Sequence, residues 1–285
     1  MCAINLTSLE EYRARTFRLL PGTKLKSQEE AVEYVNELGF VYFWPIRDIT
    51  LPSLWVATAG DRPVADAHDD PGHVTWGWKD SLLGSRAWYY SKILRKRGTM
   101  VSMELVPYFY ALSENFGAPD EDYLTQYEQG KLTQEAKTVY ETILREGPLD
   151  TPALRRASRM SSSESNGRFS KALSDLQADF KIVPTAVTDA GAWHYAFAYD
   201  AVHRCYPELP DLAHPIGEKE ARRKLAETYL HAVGAAQLRD LTRLFGWRPP
   251  DAERAVEALV QQGVLCRGLE LDTRRGEWFA LRELT

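Results

Sequence analysis

The stretch GFVYFWPIRD places three aromatic residues in a row, Tyr42, Phe43 and Trp44, directly before Pro45. Because side chains on a strand alternate between two faces, Phe43 would point into the core while Tyr42 and Trp44 share the other face. Two rings on one face can stack on a flat ligand, although aromatic residues at this spacing also fill ordinary cores. Tyr42 and Trp44 are therefore the first candidates for a binding pocket.

Acidic side chains that could activate water follow this stretch. Asp48 lies six residues after Tyr42, and Asp69 and Asp70 precede a Pro-Gly turn in VADAHDDPGH. A hydrolytic site requires a carboxylate within hydrogen-bond reach of water, so Asp48 and Asp70 are the catalytic candidates. Turn formation is the alternative role of Asp69 and Asp70. His68 beside them has no second ligand cluster, so neither a metal nor any other cofactor is predicted.

The stretch TWGWKD adds two tryptophans and a lysine. Trp76 and Trp78 join the candidates for pocket rings. Lys79 beside Asp80 could form a Schiff base with the aldehyde of an opened sugar, provided that the pKa of the lysine is lowered. The favoured interpretation of Lys79 is a solvated lysine on a surface turn.

A basic segment, SKILRKRGTM, follows an aromatic stretch and predicts a hairpin. Its cations either clamp phosphate groups or protect the edge of a sheet from pairing. Because the whole chain carries a net charge of −5, a local basic cluster favours the clamp. Other basic residues lie near a later helix or hairpin. The candidates for contact with a phosphate backbone are Lys92, Arg95, Lys96, Arg97, Arg155, Arg156, Arg168, Lys171, Arg274 and Arg275.

The composition is that of an ordinary globular protein, with 285 residues, 44% of them hydrophobic and 26% charged. This length predicts more than one domain. No apolar run is long enough to span a bilayer, and the first residues lack the layout of a signal peptide. Three isolated cysteines, Cys2, Cys205 and Cys266, make neither a disulfide framework nor a zinc site, which favours the cytoplasm. The negative net charge disfavours a protein that simply coats nucleic acid.

Two C-terminal segments share one pattern. In 131–206 and in 215–285, a helix leads through a glycine turn to a second and a third helix and then to an aromatic hairpin. Three helices with a two-stranded wing form a winged helix. Residues 1–56 predict a first winged-helix-like unit, and 57–130 predict a central hairpin followed by a helix. The predicted fold class is α+β, mainly α, with tandem winged-helix domains and a central β-hairpin or small sheet.

With this organisation, the chain resembles the AlkZ/YcaQ-type winged-helix DNA glycosylases. The resemblance rests on EARRKLAETYLHAVGAAQLRDLTRLFGW with GVLCRG and GEWFAL, on LTSLEEYRARTF with EEAVEYVNELGFV, and on TWGWKDSLLGSRAW. It implies a double-stranded DNA partner and hydrolysis of the bond between an alkylated base and its sugar. Family members place the attacking water with a Gln-x-Asp or Gln-x-Gln motif. Tyr42 and Trp44 stand at the two polar positions of that motif, and Trp78 stands in place of a family histidine.

Three functions are compatible with these residues. The first is a DNA-binding relative of the repair glycosylases, with Tyr42 and Trp44 stacking on a base and with Asp48 or Asp70 orienting water. The second is a non-catalytic binder of DNA or of an adduct. The third is a transcriptional regulator, which would usually dimerise through a dedicated helix. Because no heptad run is present, we expect a monomer, and the regulator is disfavoured.

Overall fold

The computed structural model describes residues 3–191, 193–271 and 274–285. The α-helices in these ranges are α1 Leu6–Thr16, α2 Gln28–Leu38, α3 Leu54–Ala59, α4 Val74–Ser81, α5 Val106–Tyr110, α6 Pro119–Glu128, α7 Gln134–Glu146, α8 Thr151–Ala157, α9 Asn166–Ala178, α10 Val202–Cys205, α11 Leu209–Ala213, α12 Glu218–Val233, α13 Leu238–Phe245 and α14 Pro249–Gln261. The strands are β1 Ala3–Ile4, β2 Phe40–Tyr42, β3 Tyr89–Ser91, β4 Thr99–Val101, β5 Leu149–Asp150, β6 Ile182–Thr188, β7 Ala196–Ala201, β8 Ala235–Ala236, β9 Leu265–Leu271 and β10 Arg274–Leu281. Among the helices so described, none combines the length and the apolar character needed to cross a membrane.

Helix α2 delivers the chain to the aromatic stretch. Ser27 caps this helix by accepting a hydrogen bond from the backbone N–H of Glu30, and Gly39 ends it with a φ of 80°. Apolar residues at helical spacing bury one face of α2. Glycine tolerates the positive φ, so the chain can turn directly into β2. A Cβ atom at position 39 would lie only 2.4 Å from Cδ1 of Leu105. Both the backbone and the packing therefore require glycine at this position.

A small antiparallel sheet with the strand order β2-β4-β3 connects the first helices to the central region. Met100 of β4 lies opposite Val41 on one side and opposite Tyr90 on the other. Strands β3 and β4 form the hairpin that the sequence predicted, and the basic segment forms their connection. Directly after β2, the backbone N–H of Phe43 donates to the carbonyl oxygen of Gly98 at 2.8 Å. The aromatic stretch therefore leaves the sheet beside the basic connection.

The two C-terminal segments repeat one order of elements, namely helix, strand, helix, helix and two strands. In the second unit these are α7, β5, α8, α9, β6 and β7, with the strand order β5-β7-β6. In the third unit they are α12, β8, α13, α14, β9 and β10, and β1 pairs in parallel with β9. The predicted mixed fold, mainly helical with small and largely antiparallel sheets, is confirmed.

One hydrophobic core joins the N-terminal helices, the central sheet and the third unit. A second core lies within the second unit. The central sheet meets the second unit where Tyr89 of β3 stacks on Phe180, with ring centroids 5.3 Å apart. Beside this contact, Tyr90 faces Phe197 of β7 at a centroid distance of 6.2 Å. The packing of aromatic rings thus places β7 against the central sheet, where the candidate site is formed.

The substitution Gly39→Ala tests the connection from α2 to β2. The free energy of unfolding should fall by about 1–2 kcal/mol because of the positive φ, and by a further ~1–3 kcal/mol because of overpacking against Leu105 and Thr228. Gly22→Ala is the matched control, because Gly22 has a φ of 81° but no neighbouring atom within 4 Å of the added Cβ. Chemical denaturation measures both variants, and equal losses would contradict the close packing at Gly39.

Candidate binding site

A pocket of about 250 Å³ lies between the central sheet, α4 and β7 of the second unit. We call it the aromatic pocket. The end of β2, helix α4 and the β3–β4 connection supply most of its wall. Its lining residues are Phe43, Trp44, Ile46, Trp76, Lys79, Tyr90, Lys92, Lys96, Arg97, Gly98 and Phe197. The pocket thus combines aromatic rings with basic side chains, and no carboxylate belongs to its lining within the described ranges.

Trp44 and Trp76 form one wall of the aromatic pocket. Their ring centroids lie 5.5 Å apart with an interplanar angle of 67°. Trp76 also meets Phe43 edge to face at 5.5 Å. In the part of the chain that the structure describes, neither indole N–H has a hydrogen-bond partner, although both nitrogen atoms are buried. Both N–H groups are therefore exceptions to the rule that buried donors find a partner.

Lys79 lines the pocket from α4, and only 1% of its side chain is exposed. Its Nζ lies between 4.5 and 5.8 Å from the centroids of five aromatic rings. An ammonium over ring faces is attracted by the ring quadrupoles, by ~2 kcal/mol or more where water is excluded. The five rings form what we call the lysine cage: Phe43, Trp76, Tyr90, Tyr195 and Phe197.

Asp80 and Tyr195 complete the environment of the Lys79 ammonium. Nζ donates a hydrogen bond to the carboxylate of Asp80 and another to the hydroxyl oxygen of Tyr195 at 3.0 Å. The Tyr195 hydroxyl in turn donates to Asp80 at 3.0 Å. Burial lowers the pKa of Lys79 below its ordinary value, and Asp80 opposes part of this shift. The interpretation of Lys79 as a solvated lysine on a surface turn is therefore wrong, since it is a buried residue of a helix.

Three of the predicted phosphate-binding residues, Lys92, Lys96 and Arg97, line the pocket. Nζ of Lys92 donates to Oγ of Ser174 at 3.2 Å. Burial lowers the pKa of Lys92, and the nearby Arg97 lowers it further. Lys96 forms an ion pair with Asp175. The β3–β4 connection thus gives the pocket a positive side.

Two of the predicted pocket rings lie in the core instead. Tyr42 has 0% of its surface exposed and Trp78 has 8%, and neither lines the aromatic pocket. Strand β2 ends at Tyr42, so the alternation of side chains does not continue to Trp44. The expectation that Tyr42 and Trp44 share an open face is therefore wrong. Trp44 and Trp76, by contrast, both line the pocket.

The two carboxylates predicted to orient water lie outside the lining of the pocket. The Asp48 side chain is 71% exposed, and its carbonyl oxygen accepts from Arg243 at 3.0 Å. Asp70 accepts hydrogen bonds from the backbone N–H of Gly72 at 2.8 Å and from the guanidinium of Arg62 at 2.6 Å. The bond from Arg62 is the main reason why the pKa of Asp70 is lowered. Asp70 therefore has the turn-forming role that was its alternative.

Arg155 holds the loop that precedes α9. Its guanidinium donates to the carbonyl oxygens of Met160 at 2.9 Å and Ser162 at 3.1 Å. Its central carbon lies 5.3 Å from the ring centroid of Phe169. These contacts occupy the half-buried group that the sequence assigned to phosphate binding, so the structure gives Arg155 a role in the fold.

The other basic candidates of the described chain lie on the surface. Arg168 and Lys171 stand in the first turns of α9 and form exposed ion pairs. Such pairs contribute little to stability, so their cations remain available to a phosphate. The side chains of Arg274 and Arg275 lie outside the described residues. The exposed candidates are Arg95, Arg156, Arg168 and Lys171.

Sequence analysis did not identify Tyr195 and Phe197, which supply two rings of the lysine cage. They stand two positions apart in HYAFAYD: Tyr195 directly precedes β7, and Phe197 is its second residue. That spacing would place both rings on one face of a strand. The spacing therefore predicts that the two rings share a face. It does not predict that this face packs against the central sheet.

A larger groove of about 820 Å³ lies on the third unit, beside α12 and α14. Its charged side chains largely pair with one another. Asp251 accepts from Arg248 and Arg254, and Glu218 accepts from Arg222. No aromatic ring lines this groove within the described ranges. The aromatic pocket therefore offers the richer chemistry.

These features define a mainly helical protein that carries an aromatic and basic pocket between a central sheet and a helix–sheet unit. Residues 25–246 match the family model described as AlkZ related, and the chain belongs to that family. A solved structure, the Streptomyces sahachiroi DNA glycosylase AlkZ, is similar over 99% of this chain and 71% of that chain, with a TM-score of 0.60 and 13% sequence identity. At that identity the likeness shows the fold alone. No curated protein matches the chain.

The role of Asp70 can be tested through pH. Because its pKa is lowered in the folded protein, Asp70 contributes stability that is complete above its unfolded pKa of about 3.9. This contribution is lost as the pH falls through the folded pKa. The parent should therefore be more stable than Asp70→Asn near neutral pH, and the difference should shrink below about pH 4.

Denaturant titrations across this range measure the difference in the free energy of unfolding. Asp69→Asn is the control, because the neighbouring Asp69 is exposed. If the difference in the free energy of unfolding between the parent and Asp70→Asn stays constant down to about pH 2, the ion pair with Arg62 is contradicted.

Proposed function

We propose that this protein binds damaged or distorted double-stranded DNA and takes one extrahelical base, or a flat adduct on it, into the aromatic pocket. The observation that carries the proposal is the wall formed by Trp44 and Trp76 next to the basic β3–β4 connection. The protein acts as a cytoplasmic monomer and needs no cofactor. Its second and third units act as winged helices.

The size and lining of the pocket suit a single flat ring system. Its volume of about 250 Å³ falls just below the ~300–1,000 Å³ that is typical of pockets for drug-sized ligands. Stacking on an aromatic side chain stabilises a bound base by about 1–3 kcal/mol. The faces of the Trp44 and Trp76 rings thus suit one flat ligand.

The cations beside the pocket suit the phosphates that flank an extruded base. Lys92, Lys96 and Arg97 belong to one connection of the central hairpin. Lys171 of α9 shares Asp175 with Lys96 of that connection, so the exposed cations Arg168 and Lys171 extend the basic surface beside it. Phosphate contacts of this kind position a protein on DNA without reading its sequence. Damage is then distinguished by what enters the aromatic pocket.

The proposal is recognition of a base and not hydrolysis of its bond to the sugar. A glycosidic transition state resembles an oxocarbenium ion and is stabilised by a nearby carboxylate. The described lining of the pocket contains none, and Asp48 and Asp70 lie elsewhere. Asp80 is the carboxylate held next to Lys79, with which it is paired. The chain therefore keeps the fold of a glycosylase family while its pocket supports binding.

Winged-helix geometry assigns different roles to the two C-terminal units. Recognition helices contact DNA from their N-terminal end, and α9 presents Arg168 and Lys171 there. Helix α14 instead begins with Asp251, which is buried and already paired with Arg248 and Arg254. The second unit therefore contacts DNA, and the third unit supports the fold.

Substituting both Trp44 and Trp76 by Ala tests the proposal. The affinity for a duplex with a flexible or bulky lesion should fall about 5- to 150-fold, which corresponds to the loss of one stacked base. Affinity for undamaged duplex should change little, because the phosphate contacts remain. Fluorescence anisotropy with labelled duplexes measures both affinities.

Trp247→Ala is the matched control, because Trp247 is half-buried and stacks on Phe245 away from the pocket. Circular dichroism verifies the fold of each variant. Unchanged affinity for damaged duplex in a folded double variant would contradict the proposal.

A further inference from the structure

The turn between β6 and β7 exposes a tryptophan on the second unit. Trp193 is 87% exposed, the highest value of any large apolar residue in the described ranges. Tryptophan is a large residue that is highly buried on average. An indole in water gains from any contact that removes its apolar surface from water. Trp193 is therefore suited to a partner that covers its ring.

Tyr195 holds this turn beside the lysine cage and the aromatic pocket. Its ring lies 5.8 Å from the ring of Trp76, and its hydroxyl forms hydrogen bonds with both Lys79 and Asp80. Two residues of extended chain span at most about 7 Å, so the backbone of Trp193 lies within that distance of the backbone of Tyr195. This is the length of about two steps of stacked bases in a duplex. A duplex that places one base in the aromatic pocket therefore brings its neighbouring base steps close to Trp193.

The chemistry of the turn favours bases over phosphates. Residues 189–195 read DAGAWHY and contain neither lysine nor arginine. Nδ1 of His194 lies 3.1 Å from a carboxylate oxygen of Asp189, so a protonated His194 already has an ionic partner. A turn without lysine or arginine attracts phosphate groups weakly, whereas an aromatic ring stacks on any base. The indole is therefore the group through which this turn would contact DNA.

We infer that Trp193 is the wedge that fills the gap left in the duplex by the extruded base. This inference rests on the proposed function and adds the residue that holds the base stack open. Extrusion requires the base to unpair and unstack, which leaves the neighbouring bases without a stacking partner. Proteins that distort DNA insert apolar side chains between base steps. The indole of Trp193 stacks on the neighbouring bases and prevents the extruded base from returning, while Trp44 and Trp76 hold that base in the aromatic pocket.

Two duplexes that contain the same flat adduct, ethenoadenine, test this role. In the first duplex the adduct lies opposite a thymine, so its extrusion leaves a gap in the stack. In the second it is a single-nucleotide bulge without an opposing base, so its extrusion leaves a continuous stack. Trp193→Ala should weaken binding of the first duplex about 5- to 150-fold, which corresponds to the loss of one stacked base. Binding of the bulged duplex should change by less than about twofold, because no gap is left for a ring to stack in.

Three further variants separate the wedge from the pocket. The double substitution of Trp44 and Trp76 by Ala should weaken binding of both duplexes, because the pocket receives the base from either. Phe116→Ala is the matched control, because Phe116 is 81% exposed and lies outside the pocket lining, and it should weaken neither. Trp193→Phe keeps a ring and should bind the first duplex more tightly than Trp193→Ala does. Fluorescence anisotropy measures the affinities, and circular dichroism verifies the fold of each variant.

The outcomes separate the inference from the proposed function. If Trp193→Ala binds the first duplex as tightly as the parent does, or weakens binding of both duplexes equally, the inference is overturned. The proposed function then stands, provided that the double variant of Trp44 and Trp76 loses affinity for both. If the parent binds neither duplex better than an undamaged one, the proposed function fails and the inference fails with it.

Discussion

The burial of one ammonium group, that of Lys79, is the constraint on which the candidate site depends. A buried cation is strongly destabilising unless it is paired. Here Asp80 pairs with it, and five rings surround it. Those rings come from the residue after β2, from α4, from β3, from the residue before β7 and from β7 itself. Two of the rings, Tyr195 and Phe197, belong to the second unit. The environment of Lys79 therefore depends on the contact between the second unit and the central sheet.

In this chain of the AlkZ-related family, rings and cations line the candidate pocket. At the positions where the sequence resemblance places the polar residues of a water-positioning motif, the chain has Tyr42 and Trp44. The structure buries the first in the core and uses the second as a pocket wall. The lining of the pocket includes this ring and, in the described chain, no acidic residue. The proposed recognition of a flat base depends on these rings and cations.

The sequence predicted those parts of the site that local patterns determine. The hairpin around the basic segment follows from its composition, and its connection brings Lys92, Lys96 and Arg97 to the pocket, while their contact with phosphate stays a prediction. Trp76 was also placed among the pocket rings. The assignments that failed depend on where a strand ends and on what packs against it. Tyr42 was assigned to an open face because alternation was extended past the end of β2.

The position of Lys79 was also predicted wrongly, because it was expected on the surface and is buried. A solvated position on a surface turn was expected for it, because a lysine is normally solvated. The rings that enclose it include Tyr195 and Phe197, which lie more than a hundred positions later in the chain. A contact between residues so far apart arises from the docking of the second unit on the central sheet. No pattern of local spacing carries that information.

The chemical shift of the ε-methylene protons of Lys79 tests the central claim most directly. Comparison of the NMR spectra of the parent and of Lys79→Arg assigns these protons, and buried Lys181, which pairs with Asn115 and Asp179, is an internal reference. Ring currents from the cage should shift the Lys79 protons well upfield of those of Lys181 and of the exposed lysines. Lys79 protons that resonate with those of exposed lysines would contradict the cage and, with it, this account of the pocket.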